Sequence, residues 1–265
     1  MPQPAIASRQ NPLVKQLCKL HSAKQRHQQQ LFLLEGSHLL EAACEAGYTL
    51  AVLCGTSAWQ EHSPQLWHQA CERAQRVETV TPEVLAAIAT TVQPEGVVAA
   101  IARPQPSSLP TALPRRLGLA LERLQDPGNL GTLIRTAVAT GVEQVWLSAD
   151  SVDPDHPKVL RASAGAWFRL PLTVSPDLGV TLKQAREQGL RVIATVPRGS
   201  QDFWSLDWRP PSILLLGNEG AGLSGDLLAL ADDQVSIPLE PGVESLNVAI
   251  AAALLLYEVR RQRRD

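Results

Sequence analysis

From residue 31 onward, short unbroken apolar runs alternate with stretches in which apolar residues recur every three or four positions. Leu31–Leu34, Leu50–Cys54 and Val97–Ile101 read as strands, and Glu78–Val80 as an extended piece. Ser37–Ala46, with Ser37 as its expected cap, Pro64–Ala74 and Pro82–Ala89 read as helices between them. Thr81 stands where a capping hydroxyl belongs, and Pro82 occupies the first helical position, where a missing N–H costs nothing. Together these predict a compact α/β unit of about a hundred residues, near the usual domain size.

The rhythm then breaks. Pro104, Pro106, Pro110 and Pro114, with Ser107 and Ser108, support neither helix nor central strand. We therefore place a linker at 104–116, with one domain at 1–103 and a second, separable one at 117–265. The second domain resumes the alternation, with strands at Leu117–Leu121, Gln144–Leu147, Leu172–Val174, Arg191–Thr195, Ile213–Leu216 and Val235–Ile237. Leu130, Leu133, Ile134, Ala137 and Val138 recur at helical spacing, Gly141 is a natural stop, and Asn129 is expected just before that helix. Further helices fit at 157–166, 179–188 and 224–231. Val248–Tyr257 is apolar nearly all round, so it should be buried on several sides. Aliphatic strands separated by helices predict an α/β fold with a mostly parallel sheet covered on both faces.

Composition narrows the chemistry. The chain has 265 residues, 45% hydrophobic and 19% charged, with a formal net charge of −2. That argues against gripping nucleic acid over the whole surface but leaves room for a local basic patch. The first 30 residues form such a patch: they hold Arg9, Lys15, Lys19, Lys24, Arg26, His21 and His27 and no acidic residue. They read equally as a solvated helical face or as an arm that meets phosphates. Cys18, Cys44, Cys54 and Cys71 have neither C-x-x-C spacing nor partner histidines, so no metal site and no disulfide framework is expected. No apolar run is long enough to span a bilayer, and a cytoplasmic protein is expected.

Two loops near the C-terminus hold the candidate chemistry. Gly217, Gly220 and Gly222 follow the Ile213–Leu216 strand and allow backbone to approach a ligand closely. Their spacing is that of neither a dinucleotide fingerprint nor a phosphate loop. The second loop follows Val235–Ile237 and leads through Ser245 and Asn247 into the apolar helix. Two strand-end loops and a helix N-terminus suggest a small-molecule pocket, although each piece alone reads as an ordinary turn or cap.

Three ordered stretches resemble the motifs of the SpoU (TrmH-like) RNA ribose 2′-O-methyltransferases of the SPOUT superfamily. They are Asp126-Pro-Gly-Asn129-Leu-Gly-Thr-Leu-Ile-Arg135, Leu216-Gly-Asn-Glu219-Gly-Ala-Gly-Leu, and Ile237-Pro-Leu with Ser245-Leu-Asn247. The resemblance covers about residues 117–260. More weakly, Ile6–Lys15 and Phe32-Leu-Leu-Glu-Gly36 resemble the substrate-binding domain that precedes the catalytic domain in many ribosomal-RNA members.

The resemblance implies a C-terminal trefoil knot, a homodimer formed through the catalytic domain, no metal, and S-adenosylmethionine as methyl donor. It implies RNA as partner, ribosomal RNA favoured over transfer RNA, and no membrane. By the same resemblance Thr195, Val196, Pro197, Leu216, Gly217, Asn218, Gly220, Ile237, Pro238 and Leu246 hold the cofactor. Arg135, Asn129, Glu219, Ser245 and Asn247 are the implied catalytic set; the resemblance makes Arg135 the acceptor of the ribose proton, whereas a guanidinium pKa above about 12 favours its binding the phosphate and stabilising the developing alkoxide. Arg9, Lys15, Lys19, Lys158 and Arg161 are candidate RNA contacts. Aromatic residues make up only 4% of the chain, so a stacking platform for single strands is not evident. Two rival readings stay open: a catalytically silent RNA-binding protein, and a nucleotide-binding enzyme of doubly wound type. The latter lacks its expected glycine spacing after the first strand of the second domain.

Overall fold

The computed structural model describes residues 4–103 and 113–264; the proline-rich stretch 104–112 lies outside the described residues. The chain forms two compact units. One comprises the described residues up to 103 together with Asp155–Phe168, and the other residues 113–154 with Arg169 onward.

The first unit begins with α1 (Pro12–Lys19) and α2 (Ala23–Gln29). Asn11 caps α1 by accepting from the amide of Leu13 at 2.9 Å, and Pro12 holds the first helical position. The apolar face of α1 (Leu13, Val14, Leu17) packs with Leu33, Val52, Val84, Leu85 and Ile88. Residues 12–19 and 23–29 are thus helical and expose Lys15 and Lys19, which is compatible with a solvated face and with a phosphate-meeting arm alike. Next come β1 (Leu31–Glu35), α3 (Ser37–Glu45), β2 (Leu50–Gly55), α4 (Ser57–His62), α5 (Pro64–Arg73), β3 (Val77–Thr79), α6 (Pro82–Ile88) and β4 (Val97–Ala102). They build a four-stranded sheet in the order β1-β4-β2-β3, with β4 antiparallel to both neighbours. Ser37 is not the cap of α3. Gly36 precedes the helix, Glu95 accepts the Ser37 amide at 2.8 Å, and the Ser37 hydroxyl takes the indole N–H of Trp59 at 2.9 Å.

The second unit holds β5 (Leu117–Leu121), α7 (Pro127–Thr140) and β6 (Gln144–Ser148). The chain then passes through α8 (Pro157–Ser163), which packs with the first unit. It continues with β7 (Leu172–Ser175), α9 (Leu178–Glu187), β8 (Arg191–Thr195), β9 (Gln201–Asp202), β10 (Ser212–Leu216), α10 (Gly225–Leu228), β11 (Asp233–Ser236) and α11 (Val248–Gln262). The sheet order is β7-β6-β5-β10-β8-β11-β9, with every neighbouring pair parallel. β5 and β10 are buried at every position, which is why they read as continuous aliphatic runs. Gly118 leaves room for the indole of Trp146, which a Cβ there would meet at 2.6 Å. Counting from β5, the chain builds outward to β7 and then returns to the other side of β5. Such a reversal opens a crevice at the carboxyl ends of the strands.

Segment Asp155–Phe168 completes the first unit. Arg26 is 1% exposed and donates to Asp155 at 2.9 Å and to the carbonyls of Leu20 and His21. Arg103 pairs with the same carboxylate. Trp167 packs on Phe32 with ring centroids 5.1 Å apart, and Phe168 meets Tyr48 edge-on.

Candidate active site

The loops at the carboxyl ends of β5, β10 and β11 all belong to the second unit, and one chain of hydrogen bonds ties them together. α7 starts earlier than the sequence suggests. Asp126 is its N-cap, accepting from the amide of Asn129 at 2.8 Å, and Pro127 is its first residue. Asn129 thus lies in the first turn of the helix rather than ahead of it. The signal for this start is Asp-Pro, a capping carboxylate followed by the residue best suited to the first helical position.

The Asn247 side-chain oxygen accepts from the amides of Ala249 and Ile250, capping α11. That fixes the orientation of its amide, so its nitrogen is free to donate, which it does to the Asn129 side-chain oxygen at 3.0 Å. Asn129 must then present its own nitrogen to Glu219, and does so at 3.1 Å. Glu219 also receives the backbone amides of Gln125 and Asp126 at 3.4 and 3.3 Å and the Asn218 side chain at 3.5 Å. Both its oxygens are occupied, so Glu219 acts as a clamp between loops. Asn129 and Asn247 each keep one amide hydrogen for an incoming group.

Arg135 is exposed on α7 and makes no hydrogen bond among the described residues. Six residues along a helix turn a side chain by roughly 120° and advance it by about 9 Å. Arg135 and Asn129 therefore diverge within one chain. Ser245 is exposed in the loop before α11.

Around the expected cofactor cradle, Thr195 carries a buried hydroxyl oxygen with no hydrogen-bond partner, an orphan that a bound ligand would satisfy. Ile237 and Leu246 are half-buried, with no main-chain hydrogen bond occupying their backbone groups among the described residues. Val196 is tied to β11 through its amide, donated to the Val235 carbonyl at 3.0 Å, and Pro197 and Pro238 are exposed. Leu216 already gives its carbonyl to the Glu122 amide at 2.9 Å. Asn218 serves its own loop. Its oxygen accepts from the amides of Gly220 and Ala221, and its nitrogen donates to the Arg123 carbonyl at 2.8 Å. At Gly217 a Cβ would overlap the backbone of Gly222 and Leu223, so this glycine lets the loop fold back on itself. An orphan hydroxyl, free backbone groups and a tightly folded loop fit a small polar ligand such as S-adenosylmethionine.

Of the candidate RNA contacts, Arg9, Lys15, Lys19 and Lys158 are exposed. Lys15 and Lys19 line a groove between α1 and α2 with Gln16, Gln25, Gln28 and Gln29. Arg161 has partners inside the protein, Glu35 at 3.3 Å and the Thr90 hydroxyl at 2.9 Å. Among the described residues no group of three or more histidine, cysteine, aspartate or glutamate side chains is placed to hold a metal, and all four cysteines are free. No helix is long and apolar enough to cross a membrane among those residues.

Comparison with known proteins agrees with this geometry. Residues 116–257 match the SpoU rRNA Methylase family, and residues 11–99 match the MRM3-like substrate binding domain. The chain is 51% identical to an uncharacterized tRNA/rRNA methyltransferase of Synechocystis, over 98% of this chain and 94% of that protein. It is 32% identical to the 23S rRNA (guanosine(2553)-2'-O)-methyltransferase of Bacillus subtilis, over 96% of this chain and 98% of that one. An AdoMet-bound rRNA methyltransferase from Sinorhizobium meliloti superposes with a TM-score of 0.87 at 30% identity, covering 99% of both chains. The motifs, the parallel sheet and these likenesses agree: the chain belongs to the SpoU rRNA methylase family.

Proposed function

We propose that this protein transfers a methyl group from S-adenosylmethionine to a ribose 2′-hydroxyl of structured RNA in the cytoplasm, with ribosomal RNA preferred over transfer RNA. The observation that carries the reading is the Asn247–Asn129–Glu219 chain, which gathers all three motif loops and leaves amide hydrogens directed by fixed neighbours. The rRNA preference is supported by the first unit's likeness to a substrate-binding domain and by the name of the Bacillus subtilis relative. Exposed Arg9, Lys15, Lys19 and Lys158 suit phosphate contacts, whose strength falls with salt.

S-adenosylmethionine supplies an electrophilic methyl group. Thr195, Ile237 and Leu246 would hold it, while Glu219 fixes Asn129 so that Asn129 and Asn247 would orient the ribose. Ser245, at the entrance to the same loop, assists that placement. The hydroxyl would give its proton to solvent water as its oxygen takes the methyl group, with S-adenosylhomocysteine as the leaving group, and Arg135 would stabilise the developing charge together with the adjoining phosphate. Free guanidinium has a pKa above about 12, which makes it a poor proton acceptor.

Because Arg135 diverges from Asn129 on the same helix, we place it in the site of the second subunit of a homodimer. The resemblance's knot belongs to the same reading. It is supported by a sheet order in which β10 enters between β5 and β8.

The test is Arg135→Ala. Fold and cofactor affinity should persist while turnover falls at least about a hundredfold, the scale for one lost transition-state donor. Arg135→Lys should rescue little, because it loses the planar fork. Mixing Arg135→Ala with Asn129→Ala subunits should restore about a quarter of wild-type activity if each site is shared between two chains. No recovery would place Arg135 in its own chain's site, and a fully active Arg135→Ala enzyme would remove it from the mechanism.

A further inference from the structure

Three non-glycine residues among those described have a left-handed backbone: Gln30, Ala164 and Arg123. Gln30 and Ala164 end helices, where that conformation is the usual stop. Arg123 has φ 51° two residues past the end of β5, where no helix needs terminating. Side chains rarely tolerate this region, and residues held there cluster at functional sites.

The conformation is enforced from both sides. The Arg123 amide donates to the Ser148 hydroxyl at 2.7 Å, and its carbonyl accepts from Asn218 at 2.8 Å and from Gln125 at 3.4 Å. These anchors belong to the ends of β6 and β10 and to the loop that carries the Glu219 clamp. The strained residue is therefore built into the same cluster as Asn129 and Glu219.

Its side chain is not consumed there. Arg123 is 38% exposed, yet its Nε is buried and makes no hydrogen bond. The nearest charge is Glu122, whose Oε1 lies 3.6 Å from that Nε, while Glu122 Oε2 is taken by the amide of Ser224 at 2.8 Å. No hydrogen bond occupies the terminal nitrogens among the described residues. Arg26, Arg191 and Arg263, by contrast, each donate to several partners or to a carboxylate. A guanidinium whose fork is unengaged, carried on the loop that follows the carboxyl end of β5, suits a planar oxyanion contact.

We propose that Arg123 is a substrate-binding residue that takes a phosphate of the RNA at the mouth of the site. The inference rests on the methyltransferase reading above. It adds a second arginine to the substrate contacts, on the loop after β5 rather than on α7.

The experiment compares full-length wild type, Arg123→Gly, Arg123→Gln and Arg123→Lys on ribosomal RNA purified from cells lacking the gene. Glycine removes the fork and relieves the backbone, whereas glutamine removes the charge and keeps the strain. Both should raise KM for RNA about tenfold, as expected for one lost charge-assisted hydrogen bond, with the loss in KM rather than kcat. The slope of log affinity against log salt should shrink by about 0.7–0.9, one phosphate contact. Cofactor affinity should hold, Arg123→Lys should lie between, and Arg123→Gly should melt no lower than wild type. That last readout separates the roles, since a purely structural arginine would lose stability on truncation. Unchanged KM in both Arg123→Gly and Arg123→Gln, or a lowered melting point with lost cofactor binding, would overturn the inference. A wild-type protein inactive on this RNA would bring down the methyltransferase reading and this inference with it.

Discussion

Asn247 serves two ends with one side chain: its oxygen caps α11 and its nitrogen orients Asn129. Those two functions separate on substitution. Asn247→Ala should cost about 1 kcal/mol of stability, the usual loss for a cap, and lower methyl transfer as well. Asn247→Asp keeps the capping oxygen but turns the donor into an acceptor facing the Asn129 oxygen. It should melt near wild type yet transfer methyl groups poorly; equal activity of wild type and Asn247→Asp would sink the orienting role. Cys54 is a second residue whose surroundings set its behaviour. Burial, reinforced by the charge of Glu78, pushes its thiol up to about 12 from the ordinary 9.0. The fold keeps the proton that the unfolded chain releases. This contribution to stability is therefore full below pH 9 and drains away as the pH rises toward 12. In the native protein at pH 8 Cys54 should resist a thiol-labelling reagent, and it should react once the chain is unfolded in urea. Equal labelling rates in the two states would contradict the buried thiol.

At the scale of the element, α11 divides its apolar surface between two uses. Ala252, Leu255 and Leu256 are buried within the unit, whereas Ile250 (53%), Leu254 (43%) and Tyr257 (55%) form an exposed stripe beside Trp204 (60%). The sequence suggests burial all round, whereas this stripe is exposed. Large apolar residues in one exposed patch mark an interaction surface, and the homodimer proposed above would form on this one. Leu254→Glu should halve the mass measured by light scattering and leave a folded monomer; an unchanged mass would move the interface elsewhere. Much of the architecture is legible beforehand. The aliphatic runs of β5 and β10 are strands buried on both faces, and Gly141, with φ 84°, stops α7 as its position predicts. The site is legible as residues but not as connections. Asn129, Glu219 and Asn247 stand out by motif, yet the bonds among them span 90 and 118 positions of sequence. The start of α7 is legible locally in Asp126-Pro127, a capping carboxylate ahead of the residue that suits the first helical position. Ser37 is outcompeted by Glu95, a carboxylate 58 residues away. Arg123 carries no local signal, because an arginine is no more conspicuous for having a strained backbone.

At the scale of the whole molecule, the helix that closes the first unit comes from the middle of the chain. Val159, Leu160, Trp167 and Phe168 are all buried there, and Arg26 and Arg103 both rely on Asp155. A truncated chain beginning at residue 114 would retain this segment without the unit that covers it. Each exposed large apolar side chain forfeits about 1.5–3 kcal/mol of burial. Such a chain should be less soluble than full-length protein and should bind a hydrophobic dye. Replacing Trp167 and Phe168 by polar residues should restore its solubility, and a fully soluble, dye-silent truncation would show that the segment stands alone. The same connectivity bears on the order in which the protein is made. Domains generally fold in the sequence in which they leave the ribosome, but here the earlier-born unit lacks its Asp155 anchor until residues well beyond β6 have been translated. Its Arg26 and Arg103 must wait for that carboxylate while the strands of the later unit are already emerging. A gene fusion that trades only residues 1–103 between relatives would therefore pair one parent's arginines with the other parent's closing helix, and should succeed only where the two coincide.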